Sequence, residues 1–365
     1  MQVDKRYWTG KRVFLTGHTG FKGSWLSLML SELGAEVIGY STAPETDPSL
    51  FELARIDDVI AGSVIADVRD AERLAAELRE AGPDIVFHLA AQPLVRYSYE
   101  NPVETYATNV MGTVHMLDAV RRAGKIQGVV AVTSDKCYEN REWAHPYREC
   151  DAIGGHDPYS SSKGCSELVV AAYRNSYFGP GSNRPTLIAS VRAGNVIGGG
   201  DWSVDRLIPD LVRAFEVAAT PVIRSPAAVR PWQHVLEALT GYLVVGQRLL
   251  AGDVSVADAW NFGPGENDAQ TVGWIVQRMA ESWGITSEHQ GWKGPIPHEA
   301  TMLRLDTSKA RAVLGWHPKL TLSDAIDLTV EWHKSLAAGF DARETTIRQI
   351  REYFASREIS QAKAA

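Results

Sequence analysis

Residue types that together support proton transfer stand in two short runs near the middle of the chain. Ser134 begins the run Ser134-Asp135-Lys136, and Tyr159 precedes Lys163 by four residues. A spacing of four places two side chains one turn apart on the same face of a helix. We expect the Lys163 ammonium to lower the cost of ionising Tyr159, because an opposite charge nearby favours the phenolate. A phenolate steadied by Ser134 is suited to taking a proton from a sugar hydroxyl.

Such a proton-transfer pair needs a hydride acceptor beside it, and the N-terminal part of the chain has the pattern of a nucleotide-binding loop. A short apolar strand at 13–16 leads into Gly17, Gly20 and Gly23, and an apolar helix follows at 24–33. Glycines let the backbone approach a pyrophosphate, and the helix N-terminus offers N–H donors and a positive dipole. The spacing is G-x-x-G-x-x-G, whereas the usual dinucleotide fingerprint is G-x-G-x-x-G.

The end of the second predicted strand, at 37–40, does not distinguish NAD from NADP. Dinucleotide folds often place an acidic residue there for the adenosine ribose. Here the residues are Tyr40-Ser41-Thr42-Ala43, with neither a carboxylate nor an arginine. Asp67, at the end of the third strand, is a candidate acceptor for the adenine amino group. An equally good interpretation of Asp67 is a cap for the helix that follows.

Strands and helices alternate over the first half of the chain, which predicts an α/β fold with a doubly wound parallel sheet, Rossmann-like in type. The predicted strands lie at 13–16, 37–40, 63–67, 84–89, 129–133 and 186–191, and the predicted helices at 24–33, 71–81, 102–123 and 159–177. The fourth strand ends in Ala90-Ala91-Gln92 and the fifth delivers Ser134. Ligands of such sheets bind beyond the carboxyl ends of the strands, where these residues fall.

The pattern changes after about residue 195, where helical segments at 204–218, 234–250, 271–283 and 322–337 mix with short extended pieces. We predict a dinucleotide-binding domain at 1–194 and a smaller, mixed but mostly helical substrate lobe at 195–365, with one crevice between them. Arg206, Arg224, Arg230 and Arg304 are candidates to meet an anionic substrate, and Arg230 beside Pro231 is the best of them. For each arginine alone, a solvated surface position is the alternative.

Composition excludes several classes of function. The 365 residues are 45% hydrophobic and 22% charged, which is typical of a globular protein. The net charge of −7 argues against a nucleic-acid partner. Three cysteines without metal-ligand spacing argue against a disulfide framework and against a metal site. No signal peptide and no apolar run of membrane-spanning length is readable, so we expect a cytoplasmic protein without a membrane partner.

Together these residues resemble the extended short-chain dehydrogenase/reductase family. The motifs that carry the resemblance are Gly17-x-x-Gly20-x-x-Gly23, Asp67, Leu89-Ala90-Ala91, Asn109, Ser134 and Tyr159-x-x-x-Lys163. Within that family the chain is most similar to the CDP-glucose 4,6-dehydratases, through the longer runs at 17–25, 91–96, 133–138, 192–202 and 230–235.

The resemblance implies a tightly held NAD and the conversion of CDP-glucose to CDP-4-keto-6-deoxyglucose plus water. It implies cofactor contacts from Gly17, Gly20, Phe21, Lys22, Gly23, Asp67, Val68, Leu89, Ala90, Ala91, Asn109, Thr133, Tyr159 and Lys163. The implied catalytic residues are Ser134, Asp135, Lys136, Tyr159 and Lys163. The implied substrate contacts are Gln92, Asn195, Arg206, Arg230 and Arg304. A homodimer or homotetramer is implied as well, through the helices at 102–123 and 159–177.

One position departs from the better-known dTDP-glucose dehydratases. Those enzymes carry Thr-Asp-Glu after the fifth strand, where the Asp protonates the leaving hydroxyl and the Glu removes the C5 proton. Asp135 matches this pattern and Lys136 does not. Lys136 is therefore either a base that is neutral part of the time or a cation that stabilises the enolate while another group takes the proton.

Two other functions compete with dehydration. A nucleotide-sugar 4-epimerase also oxidises C4 but needs no acid to expel the C6 hydroxyl, so Asp135 beside Ser134 favours the dehydratase. A non-catalytic dinucleotide sensor would share the fold, yet the chain keeps Ser134, Tyr159 and Lys163 together.

Overall fold

The computed structural model describes residues 2–179, 186–265, 268–286, 289–292, 294 and 302–356. Its strands are β1 (Arg12–Thr16), β2 (Glu36–Ser41), β3 (Gly62–Ile65), β4 (Ile85–His88), β5 (Gly128–Val132), β6 (Leu187–Ala193), β7 (Val196–Ile197), β8 (Val222–Ile223), β9 (Val229–Arg230), β10 (Gln233–His234), β11 (Ala259–Phe262), β12 (Gln270–Thr271) and β13 (Gln290–Gly291). Seven of them form one parallel sheet in the order β11-β6-β5-β4-β1-β2-β3. The predicted doubly wound α/β sheet is confirmed.

Helices flank the sheet and build the lobe beside it. They are α1 (Phe21–Glu32), α2 (Leu50–Leu53), α3 (Ala71–Ala81), α4 (Val95–Glu100), α5 (Pro102–Tyr106), α6 (Gly112–Ala123), α7 (Pro158–Tyr177), α8 (Leu207–Glu216), α9 (Val235–Leu250), α10 (Val272–Trp283), α11 (Leu322–Ala337) and α12 (Ala342–Ala355). Shorter helical turns lie at Lys5–Tyr7, Ile56–Asp58, Asp135–Cys137, Val254–Val256 and Ala310–Leu314. Local signals explain the boundaries of α7, since Asp157 caps it through the Ser160 N–H and Pro158 occupies its first turn.

The sequence predicts one helix over 102–123, and the structure divides it. A π-helical turn at Ala107–Met111 separates α5 from α6. Such a turn inserts an extra residue into the helix and is frequent at functional sites. Here the wider turn holds Asn109, whose side chain is buried.

The C-terminal half of the chain completes the sheet. Strand β11 pairs with β6, and its Trp260 and Phe262 are fully buried. Helix α9 packs against β5 and β6. The predicted boundary at 194/195 therefore does not separate the sheet from the lobe, because a strand and a flanking helix of the sheet follow it in the chain.

Apolar residues form one core on each face of the sheet and a third in the lobe. Trp8, Trp25 and Leu243 belong to the first, and Phe14 and Leu117 to the second. The lobe core joins α8, α10 and α11 through residues such as Leu211, Ile275 and Ile326. Within the described part of the chain, no helix is both long and apolar enough to cross a membrane.

Candidate active site

A cleft of about 1130 Å³ lies where the carboxyl ends of the sheet strands face the lobe. This volume is above the roughly 300–1,000 Å³ of most sites that hold one small ligand. Of the predicted catalytic and cofactor residues, all but Asn109 line the cleft, and of the predicted substrate residues, all but Arg304 do so. Tertiary structure thus brings together residues that are as far apart in the chain as Gly17 and Arg230.

The glycine loop packs as a nucleotide cradle requires. Gly17 has a φ of +79°, and a Cβ built on it would lie 2.8 Å from the Ala90 nitrogen. A Cβ on Gly23 would lie 2.0 Å from the Gly17 carbonyl oxygen, so α1 begins in direct contact with the loop. Gly20 is the N-cap of α1 and has no side chain to cover the first N–H groups of the helix. These features fit the pyrophosphate of a dinucleotide.

Beside this loop, Thr16 shapes the backbone that follows β4. Its hydroxyl oxygen accepts hydrogen bonds from the N–H groups of Leu89 and Ala90, at 3.1 and 3.2 Å. Ala90 and Ala91 follow without bulk and line the cleft. Small residues at this edge leave room for a flat cofactor ring.

Asp67 lies at the cleft edge next to β3, and it does not cap the following helix. The cap of α3 is Asp70, whose carboxylate accepts from the Arg73 N–H. Asp67 instead accepts from the Arg69 backbone N–H at 2.8 Å and pairs with the Arg69 guanidinium at 2.6 Å. The helix-cap interpretation is wrong, and the adenine contact stays a prediction.

Asn109 acts behind the cleft wall. Its Oδ1 accepts from the Gln92 N–H at 2.8 Å, and its Nδ2 donates to the Gln92 carbonyl at 3.1 Å and to the Ser162 hydroxyl at 2.8 Å. It thereby ties the residue after the Ala90-Ala91 run to the helix that carries Tyr159. The Gln92 side chain is itself bound to Thr105 and to the backbone N–H of Leu94.

The turn Asp135–Cys137 presents a carboxyl group to the cleft. The Ser134 hydroxyl donates to Oδ1 of Asp135 at 2.9 Å and accepts from the Lys136 N–H at 3.2 Å. Asp135 is buried, and among the described residues its Oδ2 has no hydrogen-bond partner. Burial raises the pKa of Asp135, against the charges of Lys136, Arg230 and Lys22 and the Ser134 hydrogen bond. A raised pKa favours the protonated carboxyl group, which is the form that acts as a general acid.

Tyr159 and Lys163 lie on one face of α7, as predicted, but the sign of the Tyr159 pKa shift differs from expectation. Burial raises the pKa of Tyr159 to about 12, while the Ser134 hydrogen bond and the charge of Arg206 oppose that rise. Burial also lowers the pKa of Lys163 to about 8. The expected ease of ionising Tyr159 beside Lys163 is absent from the net pKa of Tyr159, because desolvation outweighs the Ser134 hydrogen bond and the Arg206 charge.

Lys136 lies on the same turn, half-buried, and lines the cleft. Its charge acts on Asp135, the neighbour that carries the free carboxyl oxygen. The structure therefore places Lys136 beside the predicted acid, as either of its two predicted roles requires.

Positive charge collects at the lobe side of the cleft. Lys22, Arg206 and Arg230 line it, and burial with the charges of Arg206 and Lys163 lowers the pKa of Lys22 to about 7. Asn195 lines the cleft beside them, half-buried. Arg304 lies outside the lining, where its carbonyl accepts from the Tyr147 N–H.

Sequence reasoning missed a bridge across the cleft mouth. Arg96, from α4, donates to Oδ1 of Asp205 at 2.6 Å, and Arg224 donates to the Asp205 carbonyl at 2.8 Å. All three residues line the cleft and join the sheet side to the lobe. Nothing in the local sequence signals this bridge across the cleft, because Arg96 and Asp205 are 109 positions apart.

A buried ion pair behind the catalytic turn was missed as well. Arg192 pairs with Glu167 at 2.7 Å, and each side chain is only 4% exposed. Glu167 follows Lys163 by four residues, a spacing that would have placed it on the face of the predicted catalytic pair.

The comparisons with known proteins agree with this geometry. The family model described as GDP-mannose 4,6 dehydratase matches residues 14–329. A CDP-glucose 4,6-dehydratase from Salmonella typhimurium is 53% identical over 356 residues, which cover 97% of this chain and 99% of the relative. The crystal structure of a dTDP-glucose 4,6-dehydratase from Streptomyces venezuelae with NAD bound matches with a TM-score of 0.77 and 26% identity, over 90% of this chain and 99% of that one. A UDP-glucose 4-epimerase from Thermotoga maritima has the same fold, with a TM-score of 0.77 and 21% identity over 89% of this chain and 99% of its own.

Proposed function

The chain belongs to the GDP-mannose 4,6-dehydratase family, and we propose that it converts CDP-glucose to CDP-4-keto-6-deoxyglucose and water. The observation that carries this proposal is the buried Asp135, which lines the same cleft as Tyr159 and Lys163 and has one carboxyl oxygen without a hydrogen-bond partner among the described residues. Oxidation at C4 needs a base, and elimination at C5 and C6 needs an acid as well. The cleft contains candidates for both.

NAD, when bound, would accept the C4 hydride and would be the source of the hydride that C6 gains while C5 regains a proton. The glycine loop and the start of α1 would hold its pyrophosphate, and Ala90 and Ala91 would leave room for its nicotinamide ring. Lys163 lies in the same part of the cleft with a pKa near 8, so its ammonium is present at neutral pH.

Tyr159 is the proposed base for the C4 hydroxyl proton. Its pKa of about 12 makes the phenolate rare in the ligand-free protein, so proton transfer is proposed to accompany hydride departure. A hydrogen bond between the hydroxyl groups of Ser134 and Tyr159 is proposed to orient the Tyr159 oxygen toward the sugar.

Asp135 is the proposed acid for the C6 hydroxyl. Once C4 is a ketone, the C5 proton becomes acidic, and water leaves across C5 and C6. Asp135 donates its proton to the leaving oxygen through Oδ2, while Oδ1 stays bound to Ser134. Lys136 is the residue after Asp135, and it is proposed either to take the C5 proton or to stabilise the enolate oxygen.

Arg206 and Arg230 are proposed to bind the diphosphate of the substrate. Both line the lobe side of the cleft, and guanidinium groups match phosphate oxygens in charge and geometry. Arg230 is buried on β9, which pairs with β12 of the lobe, so its backbone is held before substrate arrives.

Incubation of the enzyme with CDP-, UDP-, dTDP- and GDP-glucose tests this proposal. We expect the CDP sugar to give a product lighter by one water, with a C6 methyl signal in the proton NMR spectrum. A product of unchanged mass with inverted C4 would indicate an epimerase. Turnover of another nucleotide sugar in preference to CDP-glucose would overturn the proposal that cytosine is the nucleobase of the substrate.

We further propose that two copies of the chain pair through α5, α6 and α7. Val103 on α5 is 82% exposed and Leu168 on α7 is 60% exposed, although α7 packs against β6 and α5 packs against α7. Tyr106, Met111 and Tyr177 extend the same apolar surface. A second copy would bury it by two-fold symmetry.

A further inference from the structure

We propose that the buried ion pair of Glu167 and Arg192 positions the Ser134-Asp135-Lys136 turn against Tyr159 and Lys163. The inference rests on the proposed dehydratase function, because the positioned groups are those of that reaction. Neither residue lines the cleft, so both would act through others.

Three elements of the sheet side meet at the Glu167 carboxylate. Glu167 belongs to α7, one turn beyond Lys163. It accepts hydrogen bonds from the Thr133 hydroxyl, from the Ser190 hydroxyl of β6 at 2.7 Å and from the Arg192 guanidinium of β6 at 2.7 Å. The helix with Tyr159 and Lys163 is thereby attached to the end of β5.

The Arg192 end of the pair reaches the other side of the turn. Arg192 donates from Nη1 to the Tyr138 hydroxyl oxygen at 2.6 Å, and that hydroxyl donates to Oδ1 of Asn261 on β11 at 2.8 Å. The guanidinium also lies 4.9 Å from the centre of the Tyr138 ring.

The two attachments bracket the catalytic turn in the chain. Thr133 immediately precedes Ser134, and Tyr138 immediately follows Cys137. One ion pair thus holds the residue before the turn through Glu167 and the residue after it through Arg192. The positions of the Ser134 hydroxyl and the Asp135 carboxyl are set from both ends.

Burial makes this arrangement rigid. A buried pair contributes little net stability compared with apolar residues of the same shape, so stability alone does not explain it. What the pair provides is a unique geometry, because moving either partner would leave an uncompensated charge away from water. The pKa of Glu167 accordingly lies below its usual value: burial would raise it, but Arg192 and the hydrogen bonds from Thr133 and Ser190 outweigh that effect.

Glu167 also acts on the charge of Lys163. Burial lowers the pKa of Lys163, whereas Glu167 on α7 and Cys137 on the catalytic turn raise it. His88 of β4 and Lys22 of α1 also interact with the Lys163 charge. Glu167 is the carboxylate among these four groups. Its negative charge is the larger of the two effects that favour the ammonium form of Lys163.

Two variants separate the positioning of the turn from the effect of the Glu167 charge on Lys163. Tyr138→Phe removes the hydroxyl that Arg192 holds but keeps the ion pair, and Glu167→Gln removes the carboxylate charge. We expect both to lower kcat for CDP-glucose by about 10²-fold, because displacement of a catalytic group by about 1 Å has this effect. The KM for CDP-glucose should change little, since neither residue lines the cleft.

The pH profile distinguishes the two variants. Without the Glu167 carboxylate, the pKa of Lys163 falls below about 8, so the alkaline decline in kcat/KM should begin at lower pH in Glu167→Gln. Tyr138→Phe keeps that carboxylate, and its alkaline decline should stay at the wild-type pH.

Tyr353→Phe and Glu237→Gln are matched controls. The Tyr353 hydroxyl donates to the buried Glu237 carboxylate at 2.8 Å, and neither residue lines the cleft. These variants also remove a buried tyrosine hydroxyl and a buried glutamate carboxylate, but away from the catalytic residues. We therefore expect them to lower thermal stability and to leave kcat and its pH profile unchanged.

Amide hydrogen exchange over 133–138 supplies a readout that needs no substrate. Faster exchange in both Tyr138→Phe and Glu167→Gln, but not in the controls, supports the positioning role. If the wild-type protein does not dehydrate CDP-glucose, the proposed function fails while this exchange measurement still decides the positioning proposal. Wild-type kcat and wild-type amide exchange in folded Tyr138→Phe would overturn the proposal, even if Glu167→Gln did not fold.

Discussion

The Ser134 hydroxyl donates a hydrogen bond to Oδ1 of Asp135 at 2.9 Å, and this contact leaves Oδ2 of Asp135 without a partner among the described residues. One oxygen of the carboxyl group is thus fixed, while the other is buried in the cleft wall without a hydrogen-bond partner. Burial also raises the pKa of Asp135, which favours the protonated carboxyl group. This relationship fits the proposed role of Asp135 as an acid beside Tyr159, the proposed base.

The replacement Asp135→Asn should separate oxidation from dehydration. An amide cannot give up a proton to the C6 hydroxyl, so formation of the 4-keto-6-deoxy product should slow by about 10²–10⁴-fold. Oxidation at C4 does not need this acid, and reduced nicotinamide absorbance should still appear after substrate addition. Product formation at the wild-type rate would assign the acid to another group.

The replacement Lys136→Met tests the departure from the Thr-Asp-Glu pattern. Both proposed roles of Lys136 belong to the elimination of water. In the variant, C4 oxidation should therefore proceed, and the reaction should stop before elimination. Reduced nicotinamide should accumulate, and solvent deuterium should no longer enter C5. Lys125→Met, at an exposed lysine outside the cleft, is the control. Normal product and normal C5 exchange would make Lys136 a structural neighbour, and absence of reduced nicotinamide would move it to the first step.

The replacement Gly23→Ala should weaken NAD binding. The added Cβ would lie 2.0 Å from the Gly17 carbonyl oxygen, so the loop or α1 must move. Overpacking of this kind costs about 1–3 kcal/mol, equivalent to roughly 5- to 150-fold in Kd. Gly62→Ala is the matched control, because its Cβ would meet only Ile38 at 4.0 Å. Calorimetric titration with NAD measures the affinity of both variants. Equal affinities would argue against the glycine loop as the pyrophosphate-binding site.

The replacement Val103→Glu should disrupt the proposed dimer. Val103 is 82% exposed on α5, and a carboxylate there would be buried against the second copy. Val254→Glu is the control, since Val254 is 73% exposed and belongs to the turn Val254–Val256, outside α5, α6 and α7. Sedimentation should give a dimer or larger assembly for the wild type and control, and a smaller species for Val103→Glu. A monomeric wild type at micromolar concentration would contradict the proposal.

Glu237 should make stability depend on pH. Burial raises its pKa from 4.5 to about 7 in the folded protein. Between those values the folded state holds a proton that the unfolded chain has released, so the free energy of unfolding should fall as pH rises. The slope from this group approaches about 1.4 kcal/mol per pH unit. Thermal unfolding from pH 5 to 8 should show a smaller decline in Glu237→Gln than in the wild type, and identical declines would rule out Glu237 as the source.

Much of the site was predictable because its signals are local. The glycine spacing after a strand, the four-residue interval between Tyr159 and Lys163, and Ser134 at a strand end each report a turn, a helix face or a sheet edge. Local backbone preferences determine those features, and parallel strands bring their carboxyl ends to one edge. The sequence by itself therefore determined the α/β sheet, the nucleotide loop and the catalytic turn.

Burial and long-range partners were decided only by the tertiary structure. The sequence could not show that desolvation would raise the pKa of Tyr159, because burial depends on every element packed around it. Nor could it show that Asn109 would bind the Gln92 backbone, or that Arg192 would reach Tyr138 across 54 positions. A hydrogen bond or ion pair between distant residues depends on their separation after folding, and no local pattern encodes that distance. The catalytic groups are thus visible in the sequence, whereas the contacts that hold them in place emerge only when β5, β6, α7 and β11 pack together.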